Sequence, residues 1–349
     1  MYGFWKKQAV KVVITEEYNA TSHSLLHDVT GRHIDYIRLS LTDRCNFRCI
    51  YCMPHGGQSF LPHSSIVTYE ELLRLAGVFS SLGIRHYKVT GGEPFCRKGA
   101  ISFIRELAGM EGVDEVTLTT NGSLVEPYLA ELVESGVSTV TFSCDAFDDE
   151  AFQNICRTDT SVGILRRAMD AAANLGMKVK INTVPLKDYN DATLVPLTRY
   201  ALERGHQIRF IELMPVGSGK TLAGIPQVEV FERMGREFGR LTRVSRKMGN
   251  GPAVLYEVEG YPGFIGFISA MTGKFCSICN RVRLTSTGFL KTCLCHDVGV
   301  DLKTAMQRGV SDKELTSIII DAVREKPAGH TFSFAPSLER EFFMHSIGG

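Results

Sequence analysis

Six short β-branched runs between residues 35 and 212 are separated by amphipathic stretches of helical period, and this alternation restricts the fold most. Residues 35–41, 85–89, 115–119, 138–143, 178–184 and 207–212 read as strands. Residues 69–82, 100–107, 128–135, 162–175 and 194–204 read as the helices between them. Such a pattern predicts a parallel α/β sheet with right-handed crossovers. It changes near Val216, too early for a complete eight-unit barrel. A helix at 228–238, strands near 253–258 and 264–269, and helices at 302–308 and 312–324 then predict a smaller α+β region.

Ligand groups in parallel sheets collect at the carboxyl ends of strands. The chemically suggestive residues follow that rule. A cysteine loop follows the first strand, Gly91-Gly92-Glu93-Pro94 the second and Asn121-Gly122 the third, while Ser143 ends the fourth and Met214 follows the sixth. These separate strand ends point to one mouth. Gly217-Ser218-Gly219-Lys220 lacks the leading glycine at Walker spacing and does not read as a phosphate loop.

The cysteine loop runs Thr42-Asp43-Arg44-Cys45-Asn46-Phe47-Arg48-Cys49-Ile50-Tyr51-Cys52-Met53-Pro54, a C-x3-C-x2-C spacing. It offers three thiolates where a closed zinc or iron–sulfur site takes four. One metal position is left for another ligand. A second group, Cys276, Cys279 and Cys293, has the spacing C-x2-C-x13-C, with Cys295 close behind. By itself it reads equally as a four-ligand zinc ribbon or as a second three-thiolate iron–sulfur site. Cys96, Cys144 and Cys156 read as buried apolar thiols.

The remaining composition is that of an ordinary globular chain: 349 residues, 44% hydrophobic, formal net charge +1. That charge argues against general nucleic-acid binding, and no apolar run approaches membrane-spanning length. The opening Val/Ile run is too short and interrupted for a signal peptide. Ten cysteines in clustered groups read as cofactor ligands in a reducing cytoplasm.

Taken together, Thr42–Pro54, Thr90–Pro94, Thr119–Gly122, Arg209–Met214, Cys276–Arg283 and the terminal Gly348-Gly349 resemble, in order and spacing, the GTP 3′,8-cyclase family of the radical S-adenosylmethionine (SAM) superfamily. The resemblance runs from about residue 26 to 349. It implies a partial (β/α)6 TIM-type barrel over 26–225, an α+β extension over 226–349 with a second iron–sulfur cluster and a Gly-Gly tail, and an N-terminal extension, 1–25, of no assigned role. It also implies two 4Fe-4S clusters, on Cys45, Cys49 and Cys52 and on Cys276, Cys279 and Cys293. The first would cleave SAM. The resulting radical would abstract the C3′ hydrogen of GTP, and C3′ would join C8 in this step of molybdenum cofactor biosynthesis.

The same resemblance implies SAM contacts from Tyr51, Gly92, Ser143 and Met214. It implies GTP contacts from Arg38, Lys88, Thr119, Lys180, Arg209, Arg281, Val282 and Arg283, and catalytic roles for Arg281, Arg283, Gly348 and Gly349. Lys88 departs from the family pattern, which has arginine there. Lysine keeps the charge but loses the two-pronged donor. Basic residues inside parallel strands are unusual, because such strands are buried on both faces, and an anionic ligand accounts for them. The implied partners are a reductant such as flavodoxin or ferredoxin and the cyclic pyranopterin monophosphate synthase that takes the product, with the enzyme a monomer or homodimer. The alternatives are another radical SAM enzyme with an auxiliary cluster and a non-catalytic metal-binding protein.

Overall fold

The computed structural model describes residues 26–54, 56, 59–246, 248–334 and 344–348. The N-terminal extension and Gly349 lie outside the described residues. The six expected strands form with no boundary shifted by more than one residue: β1 (Tyr36–Ser40), β2 (His86–Thr90), β3 (Glu115–Thr120), β4 (Thr139–Ser143), β5 (Lys178–Thr183) and β6 (Gln207–Ile211). The helices between them are α1 (Tyr69–Ser81), α2 (Ala100–Ala108), α3 (Leu129–Glu134), α4 (Asp149–Cys156), α5 (Val162–Asn174) and α6 (Leu194–Glu203). Local chemistry sets their ends. Thr68 and Glu71 form a reciprocal capping box at the start of α1. The sequence reading lacks α4, a short polar-faced helix. Asp148 caps its start, and Arg157, in the left-handed region at φ 47°, ends it.

After α7 (Gln227–Phe238) come β7 (Leu241–Arg243), β8 (Val254–Val258), β9 (Phe264–Ile268), β10 (Arg281–Leu284), β11 (Phe289–Lys291) and β12 (Gly299–Asp301), then α8 (Leu302–Gln307) and α9 (Asp312–Arg324). All twelve strands belong to one sheet, ordered β12-β11-β10-β1-β2-β3-β4-β5-β6-β9-β8-β7. The region beyond residue 226 therefore extends both edges of the six-stranded sheet. β10 runs parallel to β1, and β9 parallel to β6. The parallel run thus reaches eight strands although sequence alternation supplies six.

Strand alternation divides the faces. Ile37, Leu39, Tyr87, Val89, Val116, Leu118, Val140 and Phe142 point outward into the apolar core beneath the helices. Their neighbours Tyr36, Arg38, Lys88 and Thr119 point the other way and line a cavity inside the curved sheet.

Arg32 ties the start of this sheet to the second cysteine group. Its guanidinium pairs with Asp28 Oδ2 at 2.5 Å and donates to the carbonyls of Cys276 (2.8 Å) and Pro327 (2.7 Å). Arg32→Ala would remove the cationic partner of buried Asp28 Oδ2 and the donor to these carbonyls, leaving Asp28 only the Thr30 and backbone donors to Oδ1. The expected loss is about 3–5 kcal/mol, read as a lower denaturant midpoint at unchanged slope. An unchanged midpoint would show that the pair carries no stability.

Candidate active site

One cavity along the inner face of the parallel strands gathers most of the residues anticipated from sequence. Cys45, Cys49, Cys52, Tyr51, Gly92, Ser143 and Met214 line it, and so do Arg38, Lys88, Thr119, Arg209, Arg281 and Arg283. Cys276, Cys279, Cys293 and Cys295 line it too. Groups more than 200 positions apart in the chain face the same space. β10 is responsible, because it carries the second cysteine group alongside β1.

The cysteine loop is held by backbone contacts. Arg48 N donates to Cys156 O (2.8 Å) and Ile50 N to Ile155 O (2.9 Å), pinning the loop to the end of α4. Gly92 N donates to Thr42 O (2.7 Å) and Glu93 N to Arg44 O (2.8 Å). A Cβ at Gly92 would stand 2.2 Å from the Arg44 carbonyl oxygen. Gly92 is thus required for approach of the cysteine-loop backbone as well as for access to the cavity. Glu93, fully buried, accepts from Asn121 N (2.7 Å) and Thr120 Oγ1, and so fastens the second strand end to the third. Burial pushes its carboxyl up to about 7 despite those donors. Tyr51 donates its hydroxyl to Asp145 Oδ2 at 2.6 Å. Burial, then the nearby Asp145, pushes the Tyr51 hydroxyl up, and burial pushes Asp145 up to about 6. Asn121 Nδ2 reaches Cys45 Sγ at 3.7 Å. Glu93, Asn121 and Asp145 act through their neighbours; the sequence placed Glu93 and Asn121 at the mouth without a role and did not mark Asp145.

The donor set fits an iron–sulfur cluster. Cys45 is pushed up by burial and then by Cys49, and Cys52 by burial and then by both other thiols. Three adjoining thiolates repel one another, and multivalent iron offsets that repulsion. At the second group, burial alone would raise Cys279, but Lys326 and Arg281 outweigh it and its thiol is pushed down. Among the described residues, no three His, Cys, Asp or Glu side chains are grouped as for a single metal ion.

The inner face is strongly cationic. Register places Arg283, Arg38 and Lys88 side by side on β10, β1 and β2. Lys88 Nζ and Arg209 Nη2 both donate to Thr141 Oγ1, at 3.2 and 3.3 Å. Burial pushes Lys88 and Arg209 down, and the surrounding cations add to it; Arg209 falls to about 10. Like charges opposite each other in a sheet are destabilising, and a polyanion relieves that. Thr119 Oγ1, Asn182 Oδ1 and the Nε atoms of Arg209 and Arg281 are buried without a hydrogen-bond partner among the described residues. The Arg281 guanidinium lies over the rings of Tyr36 and Phe275, 5.6 Å from each centroid. Thr141, Asn182, Tyr36 and Phe275 escaped the sequence reading, since only register reveals them.

Three anticipated residues stand apart from the cavity wall. Lys180 pairs in register with Thr141 and Gln207, and its ammonium lies 3.3 Å from where a Gly249 Cβ would be. Burial and then Arg209 push it down to about 8. The Val282 side chain packs into the core, as alternation between the two arginines requires. Gly348 backs onto Ser40 and Thr90 at φ 82°, and Arg283 Nη1 donates to its carbonyl at 3.1 Å. Met344 and His345, just before it, do line the cavity.

The fold and this three-thiolate loop define a radical SAM enzyme. Residues 39–201 match the model of the Radical SAM superfamily, and residues 206–332 match that of Molybdenum Cofactor Synthesis C. The solved structure of Streptococcus suis SuiB bound to S-adenosylmethionine is similar in fold, with a TM-score of 0.57 at 13% identity over 84% of this chain and 68% of that one. The relatives are more specific. GTP 3′,8-cyclase of Clostridium perfringens is 40% identical over 93% of this chain and all of its own, as is that of Thermodesulfovibrio yellowstonii. That of Sinorhizobium medicae is 42% identical over 90% of each chain. The chain belongs to the GTP 3′,8-cyclase family. No helix among the described residues is long and apolar enough to cross a membrane.

Gly92→Ala tests the fit between loop and strand end. The Cβ would push the Arg44 backbone away, costing about 1–3 kcal/mol. The reconstituted variant should lose about four iron per chain. Full iron content would show that the loop tolerates the displacement.

Proposed function

We propose that the chain converts GTP to (8S)-3′,8-cyclo-7,8-dihydroguanosine 5′-triphosphate in molybdenum cofactor biosynthesis, as a cytoplasmic two-cluster enzyme. The observation that carries the reading is the sharing of one cationic cavity by both cysteine groups. The functional units are the radical SAM core, 26–225, and the second-cluster region, 226–349. When bound, the first cluster supplies the electron that cleaves SAM and so the radical that takes hydrogen from ribose C3′.

The rest is binding and orientation, performed by this chain's residues. Cys45, Cys49 and Cys52 hold the first cluster, and the loop's anchoring to α4 and Gly92 fixes their spacing. Tyr51, Gly92, Ser143 and Met214 cradle SAM. Arg38, Lys88, Thr119, Arg209, Arg281 and Arg283 take the triphosphate and ribose, with Lys180 adding charge from its outer position and Val282 offering only backbone. Cys276, Cys279 and Cys293 would hold a second cluster, which would supply a binding site for the guanine base. The Tyr51–Asp145 bond keeps the aromatic ring fixed beside the thiolates. A flavodoxin- or ferredoxin-like protein supplies electrons, and the cyclic pyranopterin monophosphate synthase receives the product.

Anaerobic incubation with GTP, SAM and reductant, followed by mass spectrometry, tests the reading. Cys49→Ser should abolish 5′-deoxyadenosine formation. Cys276→Ser should retain some SAM cleavage but lose the cyclic nucleotide, because the base is no longer held at C3′. Normal cyclisation by Cys276→Ser would reduce the second group to a structural role.

The Gly348 contact with Arg283 suggests that the tail steadies a residue of the GTP site. A chain stopped at Ile347 should keep both clusters and its stability but cyclise GTP at least tenfold more slowly, about 1.4 kcal/mol of transition-state stabilisation. Equal product yield from both chains would remove Gly348 and Gly349 from the mechanism.

A further inference from the structure

The second cysteine group contains one thiol more than an open-iron site uses, and hydrogen bonds join the segments that carry all four cysteines into a ring. Cys279 N donates to Cys276 O at 3.1 Å. Lys326, 3% exposed, donates its ammonium to the carbonyls of Arg281 (2.9 Å) and Thr292 (2.5 Å), between Cys279 and Cys293, and interacts with both thiols. Lys291, fully buried, donates to His296 O at 2.5 Å, lies 3.9 Å from Asp297 Oδ1, and interacts electrostatically with Cys293 and Cys295. Residues 329–331 close the ring. A Cβ at Gly329 would lie 3.9 Å from Cys276 Sγ, Gly329 O meets His296 Nε2 at 3.0 Å, and Thr331 Oγ1 is 3.8 Å from Cys295 Sγ.

Cys295 thus occupies a fourth place around the same space, facing the cavity beside Cys276 and Cys293. Each thiolate on a cluster adds a negative charge, and the two buried ammoniums are placed to balance it.

We propose that Cys295 is a displaceable fourth ligand: its thiolate holds the open iron of the second cluster until the purine base of GTP replaces it. The inference rests on the second-cluster reading above. In the exchange one iron–sulfur bond breaks and one bond forms between iron and a nitrogen or oxygen of the base. No electron is transferred, and the released thiolate, beside the Lys291 ammonium, takes a proton from solvent. Such a ligand would keep the iron covered against water and oxidants while substrate is absent.

The test is anaerobic alkylation of the iron-loaded full-length protein with iodoacetamide, with and without GTP and without SAM, read by peptide mass spectrometry. Cys276, Cys279 and Cys293 should be protected throughout. Cys295 should be protected without GTP and alkylated with it. A parallel binding measurement should find that Cys295→Ser takes GTP about tenfold more tightly, as when a competing state that holds about nine-tenths of the molecules is removed. Alkylation of Cys295 without GTP, while the other three stay protected, would overturn the proposal. Protection of Cys295 in both states, with unchanged affinity in the variant, would overturn it as well and mark a closed four-thiolate site. Alkylation of all four in iron-loaded protein would instead bring down the second-cluster reading itself, and this proposal with it.

Discussion

The inward row of cations on neighbouring parallel strands is the constraint on which the rest of this molecule depends. Arg283, Arg38 and Lys88 stand in register on β10, β1 and β2, with Arg209 reaching the same threonine as Lys88. Burying like charges side by side costs folding free energy. The outward face offsets that cost, because alternate residues of the same strands lie in one large apolar cluster beneath the helices. The result is a barrel interior kept polar and accessible where ordinary barrels fill it with branched side chains.

The cysteine loop needs a different kind of support. Its thiols repel one another, so its shape comes from backbone bonds to the end of α4 and to the Gly92–Glu93 segment. The short α4, the left-handed Arg157 and the missing side chain at Gly92 are therefore one device. It presents three sulfurs toward the cavity.

The second half of the chain completes the site by entering the first half's sheet. β10 adds parallel to β1 and β9 to β6, so the second cysteine group stands opposite the first across the cations. Arg32 links this assembly to the chain before β1 through the Cys276 carbonyl. A rigid sheet with both thiol groups on its inner face holds them at a fixed separation.

Much of this was legible in the sequence, for physical reasons. Backbone period is local, so the six strands and the five helices read between them follow from residue alternation, with ends off by at most one position. Cysteine spacing is also local, and both trios stood out with their family resemblance. Tertiary structure alone decided what depends on register between distant strands. Only the parallel pairing of β10 with β1 makes Arg283 a neighbour of Arg38. Only the sheet places Thr141 between Lys88 and Arg209. The sequence marked Gly92 for close approach, but the atom approached, the Arg44 carbonyl, appears only once the loop has folded back on the strand end. Sequence determined which residues carry the chemistry, because composition and short spacings are written along the chain. Their mutual placement required the sheet, because hydrogen bonds between strands set distances that no local pattern encodes.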